Sequence, residues 1–258
     1  MIVFLHIEKT AGTSFKTLLR ANFGIGYTES NKIKRPLFTN QDLQFASKVF
    51  IRIDVIAGHN LKNPPQHLRI EDMDLITFLR QPVDRFISHY QDRVIRNGLQ
   101  LTFEEWAGLA ENQNLMVRSV AGSDDLEQAK KLLKEQFLFV GFTERFEESL
   151  KILNLLLKEP LALAYRTSVR SRSNRVRDEI HKDEQRMELA RRCNELDQKL
   201  YDYALSQLYL PTLRKLAPGI ADTRVSADNF TMRQRLMYTA SVKYNNWIYR
   251  PLIKLLRR

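Results

Sequence analysis

The sequence predicts an α/β protein with three layers: a central parallel sheet flanked by helices. Three observations carry this. Short runs rich in β-branched and aromatic residues recur at 2–7, 49–57, 74–80 and 137–142, each with the length and composition of a buried strand. Each is followed by a segment whose apolar residues recur at helical spacing, and strands alternating with helices build a parallel sheet covered on both faces. The first strand also passes into the first helix through a tight polar loop, Glu8-Lys9-Thr10-Ala11-Gly12-Thr13-Ser14.

The elements follow in order. After Ile2–Ile7, apolar residues at 15, 18 and 19 mark a helix over 15–22. Gly24-Ile25-Gly26 reads as a turn and the polar basic stretch to about 40 as a connection. Asp42 to Ala46 is a short helix, and either Val49-Phe50-Ile51 or Asp54-Val55-Ile56-Ala57 is the second strand, leading to Gly58-His59-Asn60. Pro64-Pro65 marks a loop. Asp74 to Arg80 is the next strand. Pro82 suits the first turn of the helix after it, which carries Phe86, Tyr90 and Val94 on one face and stops at Gly98. Helices are expected over 103–110, 114–120 and 125–134, a strand over 137–142, and a helix over 147–157 ended by Pro160. The arginine-rich stretch 166–177 has no period and reads as a loop. A long helix is expected from Glu184 to Ala204 or beyond, in a region closed by Pro211. Residues 219–229 read as a linker, dividing the chain into a main domain, 1–218, and a basic C-terminal extension, 219–258. No internal repeat or low-complexity tract is found.

Composition narrows the function classes. The 258 residues are 43% hydrophobic and 28% charged, which fits a globular chain and excludes a disordered one. The formal charge of +11, from 41 Lys and Arg against 30 Asp and Glu, favours an anionic partner: a nucleotide, a sulfated or uronic-acid glycan, nucleic acid or an acidic membrane. Cys193 is the single cysteine, so no intramolecular disulfide staples the fold. No apolar run reaches the roughly 18 residues of a membrane span, and the N-terminus has neither the basic start nor the apolar length of a signal peptide. A cytoplasmic protein is expected. No Cys/His cluster has metal-ligand spacing, and no metal is expected.

Three stretches carry chemistry. A strand, a tight loop and a helix N-terminus cradle phosphate with backbone N–H groups and a positive dipole end. Lys9 adds a full charge, and Thr10, Thr13 and Ser14 add hydroxyls. This is not a Walker A loop, because Lys9 precedes the glycine where that motif has lysine directly after it. In the second stretch, Arg80-Gln81-Pro82-Val83-Asp84-Arg85-Phe86-Ile87-Ser88-His89-Tyr90, an arginine leaving a strand and a serine within the next helix can meet on one anion. In the third, Gly58-His59, an imidazole presented beside a flexible glycine has the pKa of a general base near neutral pH. Glu8 is the rival base. His6 is expected to be packed, and His89 to line the site.

The first stretch resembles the 5′-phosphosulfate loop of sulfotransferases that use 3′-phosphoadenosine 5′-phosphosulfate (PAPS), commonly Pro-Lys-Thr-Ala-Gly-Thr-Ser; Glu8 stands where the proline would be. The second resembles their 3′-phosphate segment, Arg-x-Pro-x-x-Arg-x-x-Ser-x-Tyr, with every fixed position met. Weaker likeness continues through Asn112–Arg118, Val140–Phe146 and Asn194–Tyr201 and covers about residues 2–210. It is closest to the Golgi-type and bacterial carbohydrate branch, whose uronyl 2-O-sulfotransferases take their base from a Gly-His at this place. The resemblance implies a P-loop-like fold, PAPS as donor, and in-line transfer of a sulfuryl group to an acceptor hydroxyl, that of a carbohydrate in this branch. Lys9, Thr10, Ala11, Gly12, Thr13, Ser14, Arg80 and Ser88 would then hold the donor, Lys9 and His59 would act in catalysis, and Arg172 and Arg175, with Asn174, would lie over the nucleotide. Nucleic acid is not expected as a partner. The alternatives are a kinase-like phosphotransferase and a non-catalytic polyanion-binding protein. The segment 230–258, without a single acidic residue, fits either an amphipathic helix on an anionic membrane or a helix packed back on the domain or on a second subunit.

Overall fold

The computed structural model describes residues 1–256 apart from 34, 51, 69, 168–173 and 222. Five parallel strands form the central sheet: β1 (Ile2–Leu5), β2 (Tyr27–Glu29), β3 (Val55–Gly58), β4 (Asp74–Leu79) and β5 (Phe137–Phe142), in the spatial order β2-β3-β1-β4-β5. A two-stranded parallel pair, β6 (Ala164–Tyr165) with β7 (Ser226–Ala227), lies apart from it. The helices are α1 (Gly12–Phe23), α2 (Asn40–Val49), α3 (Pro64–His67), α4 (Pro82–Asn97), α5 (Phe103–Gly108), α6 (Leu115–Ala121), α7 (Leu126–Glu135), α8 (Phe146–Leu156), α9 (Arg175–His181), α10 (Glu184–Arg192), α11 (Glu195–Tyr203), α12 (Leu210–Ile220), α13 (Met232–Lys243) and α14 (Arg250–Leu256). This is the α/β, P-loop-like architecture the sequence predicts.

The inner strands are apolar without alternation because both sheet faces are covered. Val3, Phe4, Leu5, Val55, Ile56, Leu75, Ile76 and Phe78 are fully buried. Phe15 of α1 meets Phe4 edge-on at 4.7 Å and Phe78 at 5.0 Å, which seats the first helix on the strand that precedes it.

The structure differs from the sequence reading in several places. The connection after α1 contains the edge strand β2, hidden because it is three residues long and ends in Glu29. The predicted helix 184–204 is two helices, broken at Cys193-Asn194 by a pair of reciprocal caps. Asn114, at the start of α6, accepts the N–H of Leu196 in α11 at 3.1 Å. Asp197 of α11 accepts the N–H groups of Met116 and Val117 in α6 at 3.0 and 2.8 Å. Each side chain thus satisfies the other helix's free donors. Third, Pro211 closes nothing. A π-turn at Ala204–Tyr209 precedes it, and α12 continues to Ile220. Proline lacks an N–H and its ring presses on the preceding turn; the wider π-turn makes room. The same device, Tyr244–Tyr249 before Pro251, joins α13 to α14. Fourth, the stretch 219–229 is not a bare linker, since α12 runs into it and Ser226-Ala227 pairs with β6. Fifth, Pro64-Pro65 opens the short helix α3, where a first-turn proline has no N–H to lose, and does not mark a loop. Sixth, the loop expected over 166–177 gives way to α9 at Arg175.

The C-terminal helices pack against α1 and the β2 edge. Arg20 Nη1 donates to Ser241 Oγ at 3.4 Å, Asn245 Nδ2 to the carbonyl of Tyr27 at 2.9 Å, and the Tyr244 hydroxyl to the carbonyl of Val49 at 2.7 Å. Tyr249 and Ile253 are buried in the main core.

Arg85, fully buried, donates to Asn194 Oδ1 at 3.1 Å and lies 3.8 Å from Asp197. Burial pushes the Asp197 carboxyl up, against the pull of Arg85 and the two amides. Asp197→Ala would strip two buried N–H groups of their acceptor and a buried guanidinium of its counter-charge. A loss of about 3–5 kcal/mol is expected in urea unfolding, and Asp197→Asn, which keeps one acceptor, should lose less.

Candidate active site

Leu5 of β1 pairs with Gly58 of β3 on one side and with Thr77 of β4 on the other, so the loops after these three strands leave the same sheet edge. The order of connection also reverses about β1, where open α/β sheets form their crevice. A cleft of about 850 Å³ lies there, lined by the Lys9–Ser14 loop, His6, Glu8, His59, Arg80 and a face of α4.

The loop turns by placing two L-residues in the left-handed region, Lys9 at φ 69° and Ala11 at φ 58°. Arg80 Nη1 donates to the carbonyl of Lys9 at 3.2 Å and braces the turn. Thr10 is buried, and its hydroxyl donates to the carbonyl of Ile7 at 2.9 Å. Its side chain therefore fastens the loop from inside and does not offer the hydroxyl to the cleft that the sequence reading expected. The helix begins at Gly12 with no side-chain cap and no acidic residue in its first turn. Its first backbone donors consequently have no intrahelical acceptor and form a ready anion site. Lys9, Ala11, Gly12, Thr13 and Ser14 all line the cleft. The Lys9 ammonium lies 3.3 Å from Asp92 of α4.

Gly12 is required by a neighbour: a Cβ there would collide with the His6 ring at Cδ2. The His6 ring lies 4.0 Å, centroid to centroid, from that of His59. His59 Nδ1 lies 2.6 Å from the carbonyl oxygen of His6. A carbonyl only accepts, so Nδ1 carries the hydrogen and Nε2 keeps its lone pair. Asn31 Oδ1 accepts the backbone N–H of His59 at 2.9 Å. The adjacent Gly58 is not a flexible hinge. It closes β3, and a Cβ there would meet Ser30 Oγ at 1.9 Å and Asn31 Oδ1 at 2.5 Å. The glycine admits the segment that holds the histidine. Burial lowers the pKa of His59, with Lys16 adding to the effect, against Glu8 and the His6 carbonyl, which raise it.

Glu8 is engaged. Its Oε2 lies 2.7 Å from His89 Nε2 and 3.3 Å from Arg93 Nη2. Burial would raise its pKa, but the hydrogen bond and charge of His89, with His59 and Arg93, hold it down to about 2. A carboxylate so held is a poor proton acceptor at neutral pH.

Arg80 and Ser88 line the same cleft, with His89, Gln91, Asp92, Ile95 and Arg96. Positions 88, 91, 92, 95 and 96 share one face of α4, a spacing the sequence displays and the sequence reading left unused. The other residues it missed are Asn31, whose position is set by the unrecognised β2, and Thr143 and Thr167 at the rim. Arg85 and Tyr90 are packing residues: Arg85 belongs to the cap network, and the Tyr90 hydroxyl donates to the carbonyl of Leu101 at 3.0 Å. Arg175 opens α9 with an exposed side chain 3.5 Å from Glu179 and does not line the cleft. Arg172 lies outside the described residues.

An uncapped helix start with a lysine beside it, an arginine and serine along one wall, and a histidine held in one tautomer thus share one cleft, and a model of the sulfotransferase family matches residues 1–204. The chain belongs to the sulfotransferase family. No curated protein matches it. In this sulfotransferase the matched region runs from β1 through α11 and so contains the whole central sheet and cleft.

Overpacking beneath the cradle is testable. Gly12→Ala should cost about 1–3 kcal/mol, and His6→Ala in the same chain should restore part of it. A double-mutant cycle in chemical denaturation reads the coupling; additive losses would mean that the two residues do not press on each other.

Proposed function

We propose that this sulfotransferase moves a sulfuryl group from PAPS to a carbohydrate hydroxyl, with His59 as general base. The observation that carries the reading is His59 itself. It is fixed with Nδ1 protonated and Nε2 bare, in the cleft where the free N–H groups of α1 and Lys9 gather. PAPS supplies the activated sulfuryl group and a phosphate leaving group. The residues fit such a donor: an uncapped helix start without a carboxylate at one point, Arg80 and Ser88 at another.

The work of the chain divides accordingly. The backbone donors of Gly12, Thr13 and Ser14, with Lys9, hold the 5′-phosphate and stabilise charge that develops on its bridging oxygen; because they are already oriented, little reorganisation is needed. Asp92 steadies the Lys9 ammonium. Arg80 and Ser88 take the 3′-phosphate, which sets PAPS apart from ATP. The acceptor hydroxyl approaches His59, and Nε2 takes its proton as the oxygen attacks in line. Holding both partners at reacting distance supplies much of the remaining acceleration. The carbohydrate assignment is supported by the likeness of Gly58-His59 to the uronyl branch and by the polar lining at His89, Gln91 and Arg96.

Calorimetric titration with 3′-phosphoadenosine 5′-phosphate tests the donor site. Binding should be tighter than that of 5′-AMP or ATP. Ser88→Ala should weaken it by about tenfold, the value of a hydrogen bond to a charged group, and leave 5′-AMP unchanged. Equal binding of ATP would favour a phosphotransferase. The base has its own test. His59→Ala should lower kcat by about 10²–10⁴ with donor affinity retained. Because burial lowers the pKa of His59, the protein's kcat/KM should hold as pH falls through about 6.5 and drop only below it. A His59→Ala enzyme with near-normal turnover would remove the role.

A further inference from the structure

Helix α13 and the π-turn after it are inverted. A helix packed on a domain normally turns apolar residues inward and polar ones to water. Here the inward face carries Gln234, Ser241 and Asn245, at 6%, 0% and 1% exposure, before Tyr249 and Ile253. The outward face carries Met232, Leu236, Trp247 and Leu255, at 74%, 71% for the tryptophan, and 64% and 65% for the leucines. These four fall along a single line. Positions 232, 236, 243 and 247 recur every four to seven residues, and the π-turn at Tyr244–Tyr249 keeps 251 and 255 in register with them. The packed residues 234, 241, 245, 249 and 253 lie on the opposite side.

Charge flanks the apolar line. Arg233, Arg235, Lys243, Arg250 and Lys254 are exposed along the same helices, and Phe230–Arg258 contains no Asp or Glu. Lys243 Nζ sits 5.6 Å over the Trp247 ring, so a cation and an indole occupy the same stretch of surface.

We infer that the outward face of α13–α14 docks on an anionic lipid surface, with Met232, Leu236, Trp247 and Leu255 entering the headgroup–acyl boundary and the flanking arginines and lysines meeting lipid phosphates. The chemistry selects this occupant. An indole with Leu and Met between basic residues is the composition of an interfacial helix, and tryptophan favours the bilayer interface. A second copy of this chain would set arginines and lysines against one another with no carboxylate from this segment to neutralise them. No helix among the described residues is long and apolar enough to cross a membrane, so the helices lie on the surface. The contact is independent of the donor cleft, and its failure leaves the proposed reaction untouched.

The test is co-sedimentation of the full chain with vesicles of phosphatidylcholine alone and of phosphatidylcholine mixed with phosphatidylglycerol. Binding to the mixed vesicles and little to the neutral ones is expected. Arg233→Gln with Arg250→Gln and Lys254→Gln should weaken it roughly a hundredfold, at about fivefold for each basic residue near the surface. Leu236→Ser with Trp247→Ser should weaken it by about tenfold or more. All five side chains are exposed, so thermal unfolding and binding of 3′-phosphoadenosine 5′-phosphate should be unchanged in both variants. The chain has two tryptophans, and Trp106 is buried at 3% exposure, so brominated acyl chains should quench Trp247 emission on binding. Equal pelleting with neutral vesicles, no pelleting with either, or full pelleting of the Leu236/Trp247 variant would overturn the inference. So would a dimer in sedimentation velocity that the same two substitutions dissolve, which would assign the face to a second copy.

Discussion

The turn between β1 and α1 places Lys9 and Ala11 at positive φ, and the geometry of the cleft depends on it. L-residues resist this conformation by about 1–2 kcal/mol each, so the turn persists only because its surroundings over-determine it. Thr10, between the two, is tied inward to Ile7. Arg80, from the end of β4, holds the Lys9 carbonyl from outside. With that carbonyl engaged and the chain reversed, the N–H groups at the start of α1 are left for an anion. Arg80 is thus bound to the cradle before any ligand arrives, and the wall and floor of the cleft are set by one hydrogen bond.

The same turn fixes the histidines. The His6 ring occupies the space Gly12 leaves, and its carbonyl holds the tautomer of His59. The loop after β1 and the His59 loop after β3 are therefore tied to each other through His6, whose ring meets one and whose carbonyl holds the other. Behind them, Glu29 at the end of β2 gathers Lys16 at 2.9 Å and Arg20 at 3.0 Å. Burial would raise its carboxyl, but those cations, with Lys32, hold it near 2. The carboxylate offsets the two cations on the flank of α1, which leaves Lys9 as the lysine of this segment that lines the cleft.

The sequence was most readable where one local rule decides the outcome. The inner strands are continuous apolar runs because both faces are covered, and each was visible. So were the Lys9 loop, Arg80 with Ser88, and His59, since short motifs at strand ends state both residue type and place. What escaped depends on partners distant in sequence. The reciprocal caps of Asn114 and Asp197 bridge more than 80 residues, so nothing local shows that a helix breaks at Cys193-Asn194. Gly58 reads as flexible because its real constraint, the side chains of Ser30 and Asn31, lies in the helical turn that follows β2, a strand too short to recognise. Thr10 shares its motif with Thr13 and Ser14, and no spacing rule says that its hydroxyl alone turns inward.

The inverted C-terminal helix shows the same limit from the other side. Its apolar residues lie on two faces, one against the domain through Tyr249 and Ile253 and one outward through Trp247 and Leu255, so a single amphipathic period does not describe it. Only packing distinguishes the faces. Arg20, already paired with Glu29, reaches Ser241, and Asn245 holds the carbonyl of Tyr27. These polar contacts fix the rotation of the helix about its axis, which apolar packing alone would leave loosely set. The outward stripe is therefore presented already folded. A segment ordered only on contact would lose much of its binding free energy to that ordering, whereas a platform clamped to α1 keeps it. The polar inner face is thus the reason an apolar outer face can be held in place.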